Sequence, residues 1–182
     1  MSQRFEEPPL CVDLDGTLIA VDSLKFSLLQ LGMTRPWRLL PLALRVRHGR
    51  ARFKRLVTDE ILPDPRRLPY RTAVVELLEE EQRRGRRLIM VTAADERVGQ
   101  IVADYLGLFD TVLGSDGESN LKGASKLLAI RRHLGCGEFD YIGDHISDLA
   151  VLSAARRAFL VRPSRALLHA TRGSCRIERI LR

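Results

Sequence analysis

With 182 residues, 45% apolar and 29% charged, the chain has the length of one domain, or of one domain with a modest insertion. That length buries enough surface to fold unaided, and three widely spaced cysteines (Cys11, Cys136, Cys175) exclude a disulfide framework or a CxxC zinc site. The net charge of +7 sits on a chain with no apolar run near the roughly 20 residues of a membrane-spanning helix. The polar, acidic start MSQRFEEPPL does not read as a signal peptide, which together with the cysteine usage points to a reducing cytosol.

In chain order, LCVDL (10–14) reads as a short buried strand. Residues 23 to about 64 break the pattern with helical periodicity alone, punctuated by Pro36, Pro41 and Gly49 into some three helices. PDPRRLP (63–69) brings the chain back, and RTAVVELLEEEQRR (71–84) is an amphipathic helix closed by Gly85. A strand over RRLIMVT (86–92) follows, then helices over 95–107 and 122–135, each ending on a glycine. FDYIG (139–143) is a third strand, 145–157 a helix and AFLV (158–161) a fourth strand. Alternating strands and helices predict an α/β fold with a mostly parallel sheet flanked by helices, whose ligands bind beyond the carboxyl ends of the strands. The expected division is a core of 1–22 with 65–182 and a small helical insertion over 23–64.

The insertion carries most of the basic excess. Arg35, Arg38, Arg45, Arg47, Arg50, Arg52, Lys54 and Arg55 follow one another without an acid between them. Such a run reads as a solvated face, or as a surface for an anionic membrane or a phosphorylated substrate. Nucleic acid is disfavoured, because the run lacks aromatic interleaving and any recognised binding motif.

Polar residues gather at the predicted strand ends. Asp13 and Asp15 close the first strand, Thr92 the second, and Asp144 follows the third, with Asp148 one helical turn on and Lys122 opening the preceding helix. Each Asp alone would pass as a helix cap or turn residue. Together, two carboxylates spaced by two and a third on a neighbouring strand need a cation between them, and an all-oxygen set favours Mg²⁺. Asp22 and Ser23 read as an ordinary helix cap, His145 as an exposed first-turn residue, and Cys11 as a buried structural thiol. His48, His133 and His169 show no ligand spacing.

DLDGTL, VTAAD, a lysine and GDHISD, in that order and on those elements, resemble the haloacid dehalogenase superfamily over essentially the whole chain. The resemblance implies a Rossmann-like core and a phosphomonoesterase. Asp13 is then the nucleophile and Asp15 the general acid and base. Mg²⁺ is held by Asp13, the Asp15 main-chain carbonyl and Asp144, with Asp148 supporting. Thr92 and the main-chain N–H groups around Gly16 and Ala93 bind phosphate, and Lys122 offsets negative charge, with Lys126 one turn later as its competitor. The 23–64 insertion matches the cap of such enzymes.

Within the superfamily, CVDLDGTLIAVDSL, GRARFKR, LPYRTAVVELL, LGLFDTVLGSDGESNLKG and LVRPSRALLHA resemble the phosphatase-like domain N-terminal to certain bacterial UbiA-type prenyltransferases. The chain departs from that fused pattern by ending at Arg182, so it is expected to be a free-standing relative or an excised domain. The branch implies a prenyl-pathway or lipid-linked sugar phosphate as substrate. Peripheral contact with the membrane's inner face is a further expectation, as is a membrane prenyltransferase partner. Two rival functions share the same residues: a phosphotransferase or mutase, and a regulatory module for that prenyltransferase.

Overall fold

The structure is a computed structural model that describes residues 7–45, 49–135 and 137–182. The readings of residues 1–6, of Arg47 in the basic run, of His48 and of Cys136 lie outside the described residues.

Six parallel strands form one sheet: β1 (Leu10–Val12), β2 (Leu88–Asp95), β3 (Thr111–Ser115), β4 (Asp140–Gly143), β5 (Ala158–Val161) and β6 (Ile177–Leu181). Their spatial order is β3-β2-β1-β4-β5-β6. β1 is therefore central, and its pairing with both β2 and β4 marks the point where the winding of the sheet reverses. Strand residues alternate between two apolar layers, as period two requires. Leu10, Val12, Leu88, Met90 and Ile142 pack on one face, and Cys11, Ile89, Val91 and Tyr141 on the other.

Helices α4 (Thr72–Arg83) and α5 (Glu96–Leu106) cover the first layer, and α6 (Ala124–Leu134), α7 (Leu149–Ala154) and α8 (Arg165–Thr171) the second. On α4 the buried Val74, Leu77, Leu78 and Glu81 recur at helical spacing, and α5 ends at Gly107 in the left-handed conformation.

Three expectations change. The helix expected over 145–157 contracts to a 3-10 turn at Ile146–Asp148 followed by the six residues of α7. The second strand extends to Asp95, which caps α5 by accepting from the Arg97 N–H at 3.1 Å. Strands β3 and β6 were not anticipated, because β3 is only half-buried and β6 is an edge strand with four exposed residues of five.

Between β1 and α4 stand α1 (Ser23–Thr34), a 3-10 turn (Pro36–Arg38), α2 (Leu39–Arg45) and α3 (Arg50–Glu60). They enclose an apolar cluster of their own, Leu31, Leu42 and Val57, separate from the two sheet layers. Asp22 caps α1 by accepting from the Lys25 N–H at 3.0 Å. No helix among the described residues is long and apolar enough to cross a membrane.

Candidate functional site

Because β1 stops at Val12 and β4 at Gly143, Asp13 and Asp144 leave neighbouring strands side by side at the carboxyl edge of the sheet. Thr17 ties them together: its hydroxyl donates to Asp144 Oδ1 at 3.1 Å and reaches Asp13 Oδ2 at 3.5 Å. Asp148, placed by the 3-10 turn after β4, completes the group. One carboxylate oxygen from each of Asp13, Asp144 and Asp148 lies within 4.8 Å of the others. This all-oxygen donor set, drawn from two widely separated places in the sequence, suits a small hard cation. The Asp15 carboxylate stands outside that triad.

Gly16 is fixed by this crowding. Its φ is +81°, and a Cβ there would come within 2.2 Å of Asp144 Oδ2. Arg71 braces the same turn from the start of α4, donating from Nε to the Gly16 carbonyl at 3.0 Å.

The lysine that reaches the carboxylates is Lys126, not Lys122. Lys126 Nζ donates to Asp13 Oδ1 at 2.8 Å, to Asp148 Oδ1 at 3.0 Å and to the Tyr141 hydroxyl at 2.9 Å, and its side chain is buried. Lys122 lines the cavity mouth but is exposed. The physical reason is the late start of α6, which begins at Ala124. Lys126 thereby falls in its first turn, facing the sheet, while Lys122 belongs to the loop before it.

Electrostatics follow from burial. Desolvation pushes the Asp13 carboxyl up to about 6, against the pull of the Lys126 ammonium. Burial also raises Asp15 to about 7, although its Oδ1 accepts from the Ser23 N–H at 2.8 Å. Asp144 is raised by burial and by neighbouring Asp13. Burial works against the Lys126 charge, but Asp13 and Asp148 outweigh it and hold the ammonium above its usual range. A carboxyl titrating near neutrality, such as Asp15, can both give and take a proton.

Thr92, expected to end its strand, lies fully buried within β2, three residues before the strand ends at Asp95, and its Oγ1 accepts from the Ala94 N–H at 2.9 Å. Ala93 lines the cavity, and its carbonyl accepts from Ser115 Oγ at 2.8 Å. The cavity itself measures about 810 Å³ and lies between the sheet edge and the α1–α3 helices. Asp13, Asp15, Gly16, Lys126, Asp144 and Asp148 line one side; Ser23, Lys25, Ser27, Phe53, Lys54 and Thr58 line the other.

Sequence reasoning missed Lys54, Asn120 and Arg97. Lys54 Nζ donates to the Ala93 carbonyl and to Asn120 Oδ1 at 3.0 Å. Arg97 bridges Asp59 at 2.8 Å and Asp95 at 3.0 Å, and Arg55 also reaches Asp95 at 3.4 Å. The basic run therefore has two fates: Lys54 and Arg55 turn toward the core, while Arg35 and Arg38 face outward. The only hint in the sequence was spacing, since Lys54 and Thr58 stand four apart and share a helix face. Asp22 caps α1, Ser23 opens the helix and donates its N–H to Asp15, both line the cavity, and Cys11 is a buried thiol pushed up to about 12 by desolvation. His145 accepts from the Ser147 N–H at the exposed start of the 3-10 turn.

Comparison with known proteins bears on this arrangement. A protein of unknown function from Bordetella pertussis Tohama I superposes with a TM-score of 0.71 at 17% identity, over 94% of this chain and 98% of that one. A phosphoserine phosphatase in its apo form gives 0.63 at 13% identity, over 97% and 94%. A phospho-aspartyl intermediate analogue of phosphoserine phosphatase gives 0.62 at 13% identity, over 97% and 93%. At such identities the likeness is one of fold. In sequence, the uncharacterized protein y4nM of Sinorhizobium fredii (strain NBRC 101917 / NGR234) is 37% identical over 153 residues. Those residues are 84% of this chain, which spans only 30% of that relative's length. The family model for haloacid dehalogenase-like hydrolases matches residues 10–153, from the first residue of β1 to α7 and so across every carboxylate of the site. The chain belongs to the haloacid dehalogenase-like hydrolase family.

Proposed function

We propose that the chain is a Mg²⁺-dependent phosphatase that hydrolyses a phosphomonoester through an aspartyl phosphate. The observation that carries this reading is the contact of Asp13 with Lys126 at 2.8 Å beside Asp144, with Asp15 two residues away on the same cavity wall. Asp13 attacks phosphorus with a carboxylate oxygen, forming the acyl phosphate as the bond to the leaving oxygen breaks. Asp15 delivers its proton to that oxygen, releasing an alcohol. Asp15 then takes a proton from water, whose oxygen attacks the same phosphorus, releasing phosphate and regenerating Asp13.

Lys126 holds Asp13 in place and balances charge that develops on the phosphoryl oxygens. Main-chain N–H groups around Gly16 and Ala93, with the Thr92 hydroxyl, hold the phosphoryl group, and Asp148 keeps Lys126 oriented. Mg²⁺ would be held by Asp13, Asp144 and the Asp15 carbonyl, and when bound it neutralises the negative charge that opposes attack. The α1–α3 helices serve as a cap over residues 23–64 that excludes water and selects the substrate.

The substrate class we favour is a prenyl-pathway or lipid-linked sugar phosphate, supplied to a chain related to the domain preceding UbiA-type prenyltransferases. The greater length of the Sinorhizobium relative supports a setting within a larger protein. A phosphotransferase uses the same residues with a sugar hydroxyl in place of water, and a regulatory module would use none of them.

The test is release of inorganic phosphate from p-nitrophenyl phosphate in Mg²⁺, with and without an added alcohol acceptor. Asp13→Asn is expected to lower turnover by at least about a thousandfold. Full activity in that variant, or an inert wild-type chain, would sink the proposal. Transfer to the alcohol in excess of release would favour the phosphotransferase.

A further inference from the structure

The five most exposed large apolar side chains among the described residues lie within one stretch of sixteen residues. Leu29, Met33, Trp37, Leu40 and Leu44 are each between 65% and 78% exposed, and the next, Leu128, is 54% exposed. Leu29 and Met33 stand four apart on the outer face of α1, and Leu40 and Leu44 four apart on α2. The 3-10 turn that carries Trp37 packs on both helices, so the five belong to adjoining elements. The inner cluster of Leu31, Leu42 and Val57 already fills the space between these helices, and the outer five play no part in it.

We propose that this outer face of the cap docks on an anionic lipid bilayer. Exposed aromatic and aliphatic side chains with cations and no acids among them form the composition that enters the headgroup boundary of such a membrane. Arg35 and Arg38 stand exposed within the patch, no acid occurs from Arg35 to Arg55, and Glu60 on α3 is met by Arg38 at 3.4 Å. A second copy of the chain is the wrong partner for the same face, because two such faces would set arginines against arginines.

The location has a consequence for substrate access. Lys25, exposed on the α1 stripe that continues to Leu29 and Met33, also lines the catalytic cavity. Lys25 and Met33 are eight residues apart, about 12 Å along a helix. A docked chain therefore holds the cavity within reach of phosphates at the bilayer surface. Docking itself does not depend on the phosphatase reading.

The chain carries a single tryptophan, Trp37, so its emission reports the patch directly. The experiment titrates the 182-residue chain with phosphatidylcholine vesicles with and without phosphatidylglycerol, and repeats the mixtures as flotation assays at low and high salt. The expected result is a blue shift of Trp37 and co-flotation with the anionic vesicles, weakened by salt. The pair Leu40→Ser with Leu44→Ser is expected to weaken partitioning by at least about tenfold. Arg35→Gln and Arg38→Gln should each weaken it about fivefold. All these variants are expected to hydrolyse p-nitrophenyl phosphate as the wild type does, which also verifies folding. No shift and no flotation at low salt, or binding that these variants leave unchanged, overturns the proposal. Concentration-dependent dimerisation in sedimentation that the Leu pair abolishes would instead assign the face to a second copy.

Discussion

Strand β4 connects two buried charge clusters that solve opposite problems. At its amino end Asp140 is met by Arg156 at 2.9 Å, by Arg157 at 2.9 Å and by Arg86, which also pairs with Glu81 at 2.7 Å. At its carboxyl end Asp144 joins Asp13 and Asp148 around the single ammonium of Lys126. In the first cluster the charges balance, since Arg157 also meets Glu7 at 3.2 Å. Burial works to raise Asp140, but hydrogen bonds from Arg156, Arg86 and Arg157 overcome it and hold the carboxyl below the usual range. The second has carboxylates in surplus, and there burial and mutual repulsion leave Asp13 and Asp144 raised. Charges that balance at one end of the strand and carboxylates in surplus at the other separate a structural ion network from a site that awaits a cation or an anionic ligand bearing one.

The sharpest way to break the contrast is to remove Lys126. Lys126→Met is expected to lower phosphatase turnover by about 10²–10³-fold, while Lys122→Met changes it by less than about threefold. Steady-state kinetics on p-nitrophenyl phosphate, with circular dichroism to verify folding, provide the check. Equal losses in the two variants would mean that the buried contact to Asp13 is not the one that matters.

At the other end of β4 the loss should appear in stability and not in turnover. Asp140→Asn leaves the buried Arg86 with less compensation and is expected to cost about 3 kcal/mol in urea denaturation at pH 7. The sign of its pH dependence follows from the lowered carboxyl. A folded pKa below the unfolded value of about 3.9 stabilises the fold above that value, and the stabilisation is lost as pH falls through the folded pKa. Wild type and Asp140→Asn should therefore differ most at neutral pH and converge as the pH drops below about 4. A difference that held constant down to acid pH would remove the ion network as its cause.

How much of this was legible in the sequence differs between the two clusters. Asp13 and Asp144 stand out because each directly follows an apolar strand run, Asp15 because it stands two residues after Asp13, and strand ends converge in a parallel sheet. Asp140 begins FDYIG's buried strand with no such signal, and its partners Arg86, Arg156 and Arg157 look like any arginines beside a glycine or a helix end. Lys126 was legible only as an alternative, since the choice depended on where α6 starts, and helix starts are blurred by one or two residues. β3 and β6 escaped notice because half-buried and edge strands tolerate Gly114, Glu178 and Arg179, which dilute the apolar signal.

Magnesium should sharpen the comparison from a third side. Among the described residues only the carboxyl-end cluster gathers three carboxylate oxygens within 4.8 Å, so Mg²⁺ is expected to raise Tm by a few degrees, through binding to the native chain alone. With Asp13 raised to about 6 and Asp144 also raised, protons compete with the cation at pH 5 and much less at pH 7.5. The shift should be larger at pH 7.5 and shrink in Asp144→Asn, while Asp140→Asn retains it. Differential scanning calorimetry with and without Mg²⁺ reads all three.

The smallest effect concerns how the α1–α3 helices are held to the core, where Asp95 is buried but its partners Arg97 and Arg55 are partly exposed. Arg97 on α5 reaches Asp59 on α3 and Asp95 at the end of β2, but Asp59 is about half exposed, and Arg55 also reaches Asp95. An exposed bridge such as Arg97–Asp59 contributes little and Arg55 stays beside Asp95, so Arg97→Ala should cost less than about 1 kcal/mol in global stability. Its consequence should instead be local. With the Asp59 bridge gone, α3 is held by Lys54 and Arg55, and the cap opens more often without unfolding the sheet. Hydrogen exchange is therefore expected to rise in α3 and stay unchanged in β1 and β4. A rise across the whole sheet would place Arg97 with the Asp140 network as a structural residue, and no rise in α3 would show that the bridge does not hold the cap.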